Sequence, residues 1–324
     1  MADIDITKPA QAAAARTELE QISRGSLDKV TTASRAVDAY VADGDVIAVG
    51  GTNHARTPMA LLWEVLRQGR SQLSLSRPLT CFESELFIAH GAASRVITSW
   101  VGVGHGWGLA RVLREYVEQG RATYEEWSHL GVGLRYKAGA MGMPYLPTMS
   151  MLGSDLAARL ELKYTECPYT GQLLYAIPSL NPDVAFIHVQ RADRAGNAQI
   201  DGYELMDADV ARAAQRVIIS AEELVSTDEL RKDPTRTIIP AFAVDAVVEQ
   251  PLGAYPHECY GYYDTDLTEF SEYMQSVRDQ GSDGARKYVN DVLSQHDHFD
   301  SYIESIDRDR IAALRQAAKE LIAK

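Results

Sequence analysis

The chain is poor in cysteine, poor in cations and free of long apolar runs, and each scarcity excludes a class of protein. It has three cysteines among 324 residues, Cys81, Cys167 and Cys259. Their odd number and wide spacing give neither a disulfide framework nor a CxxC metal site, so we expect a reducing, cytoplasmic compartment. No apolar run approaches the ~20 residues that cross a bilayer, so we expect no transmembrane segment.

The charge balance is acidic. The 45 acidic and 32 basic residues give a net charge of -13. Phosphate backbones and anionic lipids are held chiefly by Lys and Arg, so we expect neither nucleic-acid nor membrane binding. An anionic small molecule held by local backbone N–H groups remains possible. Residues 1–28 are alanine-rich without a basic leader, which predicts a helical arm or a solvated tail and not a secretory signal.

Short buried strands alternate with helices along the chain. Residues 46–49 (VIAV), 184–189 (VAFIHV) and 216–220 (RVIIS) are continuous apolar runs typical of strands buried on both faces. The alternation predicts an α/β fold with an open, mostly parallel sheet flanked by helices. We expect a single large domain over residues 29–300, followed by a C-terminal helix over residues 301–324.

Two glycine-rich loops stand where ligands bind in such sheets. The first, GGTN at residues 50–53, follows the first strand and precedes a helix, yet it is not a GxGxxG fingerprint. The second has four glycines in the seven residues 102–108 and contains His105. Such loops present several N–H donors to an oxyanion or phosphate. His105 is a candidate acid or base, with a structural or solvated role as the alternative.

Three other features have weaker functional interpretations. The polar segment 190–197 follows a central strand, so it either faces the ligand crevice or is an ordinary strand exit. Glu222 and Glu223 are interpreted as acidic residues at a helix start, in preference to catalytic carboxylates. His296 and His298 lack a third ligand, so we expect no metal.

Ordered blocks of the sequence resemble one family. The blocks are GDVIAVGG (44–51), RQG (67–69), AGAMGMPYLP (138–147) and the segment from residue 170 to residue 202. Together they are similar to the α subunit of class I coenzyme A transferases. The block 229–266 resembles the glutaconate coenzyme A-transferase α subunit in particular.

This resemblance implies an enzyme of two related subunits with the site at their junction. A glutamate of the β subunit would attack an acyl-CoA thioester and become a glutamyl-CoA thioester, from which an acceptor carboxylate takes the CoA. Because the β-type glutamate signature is absent here, we expect no catalytic nucleophile in this chain. The expected partner is a β subunit, in a heterodimer that assembles to α2β2 or larger. The CoA thioester is a substrate, and no permanently bound cofactor is expected.

The resemblance also suggests which residues bind substrate. They are Gly50, Gly51, Thr52, Asn53, Arg77, Gly102, Gly104, His105 and Gly106. Residues 76–80 (SRPLT) replace the glycine-rich loop that glutaconate-type subunits have after the second strand. Gly104 or His105 stands where those subunits have a serine. We therefore predict an acyl group other than glutaconyl, with Arg77 as a candidate partner for its carboxylate.

Two other functions remain open. One is the α subunit of a related hydrolase that uses water as the acceptor to cleave or ring-open an acyl-CoA. The other is a non-catalytic or sugar-phosphate-binding member of the same fold, which would act without a β subunit.

Overall fold

The structure is a computed structural model that describes residues 28–103, 108 and 110–323. The strands are β1 (Val46–Val49), β2 (Leu73–Ser76), β3 (Leu79–Thr80), β4 (Ala93–Thr98), β5 (Trp100–Val101), β6 (Thr123–Glu126), β7 (Tyr145–Thr148), β8 (Lys163–Glu166), β9 (Leu173–Pro178), β10 (Val184–Ala192), β11 (Ala198–Gln199), β12 (Arg216–Leu224), β13 (Thr237–Ile239) and β14 (Ala246–Glu249).

The helices alternate with these strands and then end the chain. They are α1 (Ala33–Tyr40), α2 (Met59–Arg67), α3 (Phe82–His90), α4 (Arg111–Glu118), α5 (His129–Ala140), α6 (Asp155–Arg159), α7 (Asp207–Ala213), α8 (Thr227–Arg231), α9 (Leu267–Gln280), α10 (Ser282–Gln295), α11 (Phe299–Ser305) and α12 (Arg308–Ile322). None of these described helices is long and apolar enough to cross a membrane.

A parallel sheet forms the centre of the fold, as the apolar runs predict. Its parallel strands lie in the order β14-β12-β10-β1-β2-β4-β6, and β11 and β13 extend it with antiparallel pairing. From β1 the chain winds outward through β2, β4 and β6, then returns to the other side of β1 as β10. This reversal is the topological switch point of an open α/β sheet, where ligand crevices form.

The sheet separates two apolar cores. Successive residues of β10 point to opposite faces of the sheet, so Phe186 lies in one core and Ile187 in the other. The larger core packs under α1–α4 and α9–α12, and the smaller one under α5, α6 and α7. Both faces are covered by helices, which explains why the central strand β1 and residues 184–187 of β10 are apolar throughout. The predicted fold class is confirmed.

Helix α5 starts beside the carboxyl end of the sheet. Ser128 caps it, and its hydroxyl oxygen accepts a hydrogen bond from Gly131 N at 2.9 Å. Further along, a Cβ on Gly139 would lie 2.4 Å from the carbonyl oxygen of Leu180. A small residue at this position therefore allows α5 to pack closely against the chain at Leu180.

Some expectations need correction. Glu222 and Glu223 do not start a helix, because β12 extends through Leu224. An unpredicted three-stranded antiparallel sheet, β7-β9-β8, lies apart from the main sheet. In place of the one helix expected over residues 301–324, the described part of this segment contains two, the end of α11 and the whole of α12. The proposed N-terminal arm lies outside the described residues, apart from residue 28.

Candidate functional site

A tight turn follows β1 at the switch point. Gly51 has φ +67°, and a Cβ there would lie 2.0 Å from the carbonyl oxygen of Ala55. Asn53 also adopts the left-handed region, with φ +46°. Because a side chain at Gly51 would collide with backbone, only glycine fits. The turn brings Asn53 over the carboxyl ends of the strands.

The backbone N–H groups of this turn are already used within the chain. The bonds are Gly50 N to Phe186 O (2.8 Å), Gly51 N to Asp207 Oδ1 (2.8 Å), Thr52 N to Ala55 O (3.1 Å) and Asn53 N to Leu79 O (3.0 Å). These N–H groups therefore do not form an anion cradle, contrary to the sequence-based expectation. The side-chain atoms Thr52 Oγ1 and Asn53 Oδ1 are instead buried without a hydrogen-bond partner among the described residues.

A buried ion pair holds the turn in place. Arg56 and Asp207 form a 2.5 Å contact, with side chains 2% and 1% exposed. The Arg56 guanidinium also donates to the carbonyl oxygens of His188 at 3.1 Å and Tyr203 at 3.0 Å. Asp207 in turn accepts the Gly51 N–H. The first residue of α7 is thereby tied to the glycine turn.

A cleft of about 570 Å³ opens beyond the carboxyl ends of β1, β2, β4 and β6. Its described lining consists of Asn53, Leu79, Ser99, Trp100, Glu126, Trp127, Ser128, His129 and Leu156. This volume is in the range of small-molecule sites, and the walls are largely aromatic and aliphatic. Asn53 is the only residue of this lining that the sequence predicted. Glu126, Trp127, Ser128 and His129 were not singled out.

A buried charge cluster fixes the Trp127 wall. Trp127 Nε1 donates to Glu125 Oε1 at 2.7 Å, and the Arg135 guanidinium lies 4.5 Å from the indole ring centre. Arg135 pairs with Glu125 at 2.5 Å, and Arg95 pairs with the other carboxylate oxygen. Burial alone would raise the pKa of Glu125, but Arg135 and Arg95 hold it below its ordinary value.

His129 lies at the first position of α5, on the rim of the cleft. Its Nδ1 is 3.2 Å from Ser99 Oγ, and Ser99 Oγ donates to the carbonyl oxygen of Pro78 at 2.5 Å. The ring is exposed. A serine after β4 thus orients a histidine after β6, across neighbouring strands of the sheet.

Arg77 is not open to the cleft. Its side chain is 0% exposed and pairs with Glu83 at 3.0 Å. It also donates to Asn53 O at 3.2 Å, Ala55 O at 3.3 Å and Thr57 Oγ1 at 2.9 Å. This geometry favours a structural role, in which Arg77 braces the glycine turn, over direct contact with a substrate carboxylate.

The second glycine loop is described only in part. Gly102 is buried, and a Cβ there would lie 2.4 Å from the Trp100 ring. It therefore lets the chain pass closely beside a wall of the cleft. The proposed binding residues Gly104, His105 and Gly106 lie outside the described residues.

The polar segment after β10 folds back on itself. The Asp193 carboxylate accepts the N–H groups of Gly196 and Asn197, both at 2.9 Å, together with the Asn197 amide and the Thr227 hydroxyl, both at 2.8 Å. This closed turn leads into β11 and does not line the cleft. Of the two sequence interpretations, the ordinary strand exit is the better one.

A buried polar network underlies the central strands. His188 Nε2 lies 2.8 Å from Glu222 Oε1 and its Nδ1 lies 2.9 Å from Ser220 Oγ, while Tyr263 donates to Glu222 Oε1 at 2.7 Å. Burial, reinforced by Glu222, raises the pKa of Tyr263 and likewise that of the Cys259 thiol. His188, Glu222 and Cys259 converge closely enough to hold a metal ion. Here the histidine and the carboxylate bond to each other, which makes the cluster a structural network.

Comparison with known proteins agrees with this architecture. Residues 30–250 match the coenzyme A transferase family. The chain belongs to the coenzyme A transferase family. The crystal structure of glutaconate coenzyme A-transferase from Acidaminococcus fermentans matches with a TM-score of 0.84 and 30% identity, over 89% of this chain and 95% of that one.

Sequence relatives assign the chain to the α type within the family. The α-type subunit of glutaconate CoA-transferase from A. fermentans is 33% identical over 292 residues, covering 84% of this chain and 91% of the relative. The α-type subunit of 3-oxoadipate CoA-transferase from Pseudomonas knackmussii is 35% identical over 256 residues, covering 78% and 89%. The chain is a class I coenzyme A transferase α subunit.

Two other relatives limit what the family alone implies. An uncharacterised protein of Archaeoglobus fulgidus is 37% identical over 286 residues, and the chain covers 63% of its length, less than two thirds. The cholesterol ring-cleaving hydrolase IpdA subunit of Mycobacterium tuberculosis is 28% identical over 285 residues, covering 82% of this chain and 94% of the relative. Both transferases and hydrolases therefore occur among the named relatives.

Proposed function

We propose that this chain, paired with a β-type subunit, transfers CoA from an acyl-CoA to an acceptor carboxylic acid. The observation that carries the proposal is the cleft itself. It lies at the carboxyl edge of the sheet beside the switch point, within the region that matches the family, and is walled by Trp100 and Trp127. An acyl group fits such apolar walls.

The chemistry needs a carboxylate nucleophile from the partner. The partner subunit's glutamate attacks the thioester carbonyl and expels CoA thiolate, giving an acyl-glutamyl anhydride. The thiolate then attacks the glutamyl carbonyl, which releases the first acid and leaves glutamyl-CoA. The acceptor carboxylate repeats these steps in reverse and regenerates the glutamate. Covalent catalysis of this kind divides one difficult exchange into easier steps.

This chain contributes the shape and polarity of the acyl pocket. Gly50 and Gly51 set the turn, and the buried Thr52 Oγ1 and Asn53 Oδ1 supply polar atoms beside the cleft. Gly102 and the loop residues Gly104, His105 and Gly106 would cover the acyl group. Arg77 would act indirectly, through its bonds to the carbonyl oxygens of the turn.

An exposed apolar patch supports an obligatory partner. Around the small antiparallel sheet, the exposed fractions are 54% for Met149, 57% for Tyr164, 94% for Tyr169 and 57% for Leu173. Large side chains clustered at the surface of one small sheet are typical of protein–protein interfaces. A heterodimer that assembles to α2β2 or larger would cover them.

Co-purification followed by an acceptor-dependence assay tests the proposal. The chain is expressed with its β-type partner, and acyl-CoA is supplied with and without acetate. Transfer predicts new acetyl-CoA only when acetate is present and little free CoA without it. The Met149→Asp variant should lose the partner, whereas Leu321→Asp, on the exposed end of α12, should keep it.

Hydrolysis is the second candidate, favoured by the IpdA relative. Water would then replace the acceptor acid, and free CoA would appear at an undiminished rate without acetate. The same assay therefore separates the two functions.

A further inference from the structure

The cleft has a one-sided charge distribution. Among its described lining residues, none is lysine or arginine, and Glu126 brings a carboxylate. Glu126 is exposed and belongs to the lining of the cleft. A second carboxylate on an acyl group would meet this charge, and no lysine or arginine among the described lining residues would balance it.

The nearby guanidinium groups are already committed. Arg77 is 0% exposed and pairs with Glu83, while Arg135 is 0% exposed and pairs with Glu125. Releasing Arg77 would leave the buried Glu83 carboxylate without its ion-pair partner, and releasing Arg135 would leave Glu125 with Arg95 as its remaining cation; both changes are unfavourable. Neither is available to receive a carboxylate in the cleft.

His129 presents a hydrogen-bond acceptor when its ring is neutral. Ser99 has one hydroxyl proton, and it is directed to the carbonyl oxygen of Pro78 at 2.5 Å. In this arrangement Ser99 Oγ accepts a hydrogen bond from His129 Nδ1, at 3.2 Å. The neutral ring then carries its proton on Nδ1, and Nε2 has a lone pair for a ligand that donates a hydrogen bond.

Asn53 adds a second acceptor to the same cleft. Its Oδ1 is buried and has no hydrogen-bond partner among the described residues. A buried carbonyl oxygen without a donor is unfavourable, so a ligand hydroxyl beside it would be stabilising. The lining thus offers acceptors from Asn53, Glu126 and His129.

The N-terminus of α5 weakly favours a carboxylate in the cleft. It opens beside His129 and carries the equivalent of about half a positive charge, which falls off within one turn. Glu126 places a carboxylate in the same lining. The balance still disfavours a second carboxylate.

We propose that this pocket takes an uncharged acyl group bearing a hydroxyl, with His129 as a specificity-determining residue that accepts the hydroxyl hydrogen bond. The inference rests on the proposed CoA transfer and names its substrate class. It separates this chain from relatives whose names specify the dicarboxylic acids glutaconate and 3-oxoadipate.

Three matched thioesters test it on the co-purified complex: butyryl-CoA, 3-hydroxybutyryl-CoA in both enantiomers, and glutaryl-CoA, each with acetate as acceptor. One hydrogen bond between uncharged groups predicts about fivefold higher kcat/KM for one hydroxybutyryl enantiomer than for butyryl-CoA. Glutaryl-CoA should be the poorest substrate. A higher kcat/KM for glutaryl-CoA than for butyryl-CoA would overturn the inference.

Variants assign the preference to the histidine. His129→Phe should bring the hydroxybutyryl-to-butyryl ratio to about one, and His129→Gln should keep part of the preference. His296→Phe, far along the chain in the α10–α11 connection, should leave the ratio unchanged. If His129→Phe does not fold, the kcat/KM ratios of wild type and of His129→Gln still test the role of the histidine. An undiminished ratio in a folded His129→Phe or His129→Gln variant excludes the histidine.

Failure of the proposed function is distinguishable from failure of this inference. If the complex transfers no acyl group, calorimetric binding of the same thioesters to the purified protein replaces kinetics. Tighter binding of 3-hydroxybutyryl-CoA than of both others then supports the pocket assignment. Equal or tighter binding of glutaryl-CoA refutes it.

Discussion

The Arg56–Asp207 pair offers a quantitative test of how the site is held. Both side chains are almost fully buried, and the guanidinium also satisfies the carbonyl oxygens of His188 and Tyr203. Arg56→Met keeps the volume of the stem, but among the described residues it leaves the buried Asp207 carboxylate with Gly51 N as its remaining hydrogen-bond donor. Removing one partner of a buried pair costs about 3–5 kcal/mol of unfolding free energy.

This cost converts into a shift of the melting temperature. Unfolding entropy of about 2.1 cal/mol/K per residue gives about 0.7 kcal/mol/K for 324 residues. Arg56→Met should therefore lower the melting temperature at neutral pH by about 4–7 °C. The matched control is Arg194→Met, because Arg194 pairs with Asp28 at 2.6 Å with side chains 62% and 55% exposed. An exposed pair contributes about 0–1 kcal/mol, so the control should shift by less than about 1.5 °C.

A double variant checks the electrostatic reasoning. Asp207→Asn added to Arg56→Met removes the isolated buried charge while retaining an oxygen for Gly51 N. The double variant should melt above the Arg56→Met variant. Equal melting temperatures for Arg56→Met and Arg194→Met, or a double variant less stable than the single one, would refute the account of this pair.

Three further predictions concern the turn, a buried acid and Arg77. Gly51→Ala should lower the free energy of unfolding, measured by chemical denaturation, far more than Gly69→Ala. Both glycines have φ +67°, but only at Gly51 would the new Cβ collide with another atom, Ala55 O. Similar losses in the two variants would contradict the steric argument. Burial raises the pKa of Glu85 to about 7, so folding disfavours its ionised form and wild type loses stability as pH rises from about 4.5 to 7. The difference in melting temperature between Glu85→Gln and wild type should therefore shift in favour of the variant between pH 5 and pH 8. The shift should correspond to about 3 kcal/mol of unfolding free energy. A difference that stays constant with pH would contradict the burial of an ionisable Glu85. Arg77→Met should lower the melting temperature and leave the ratio of kcat/KM values among acyl-CoAs unchanged, whereas a changed ratio at unchanged stability would restore a direct substrate contact.

The main sheet was largely predictable from the sequence. The apolar runs at 46–49 and 216–220 mark the strands because a parallel sheet covered on both faces needs continuous apolar residues. The end of β12 was missed because Glu222 and Glu223 resemble helix-start residues. Glu222 is tolerated in a buried strand because His188, Tyr263 and Leu252 N all bond to its carboxylate, and those contacts come from distant parts of the chain.

The cleft was predictable only in part. The glycine turn was found because paired glycines after a strand have a local cause. The wall of the cleft that follows β6 was missed because the sequence of β6 is TYEE, a polar edge strand without an apolar run. Had that strand been identified, its carboxyl end would have placed Trp127 and His129 at the crevice. The role of Arg77 depends on Glu83, a partner that no local pattern indicates.

Trapping the covalent intermediate tests the central claim most directly. The co-purified subunits are incubated with acyl-CoA, treated with borohydride or hydroxylamine, and both chains are mapped by mass spectrometry. The account predicts one modified glutamate on the partner subunit, an unmodified Glu126, and no turnover by the 324-residue chain alone. A modified glutamate on this chain, or turnover without the partner, would contradict it.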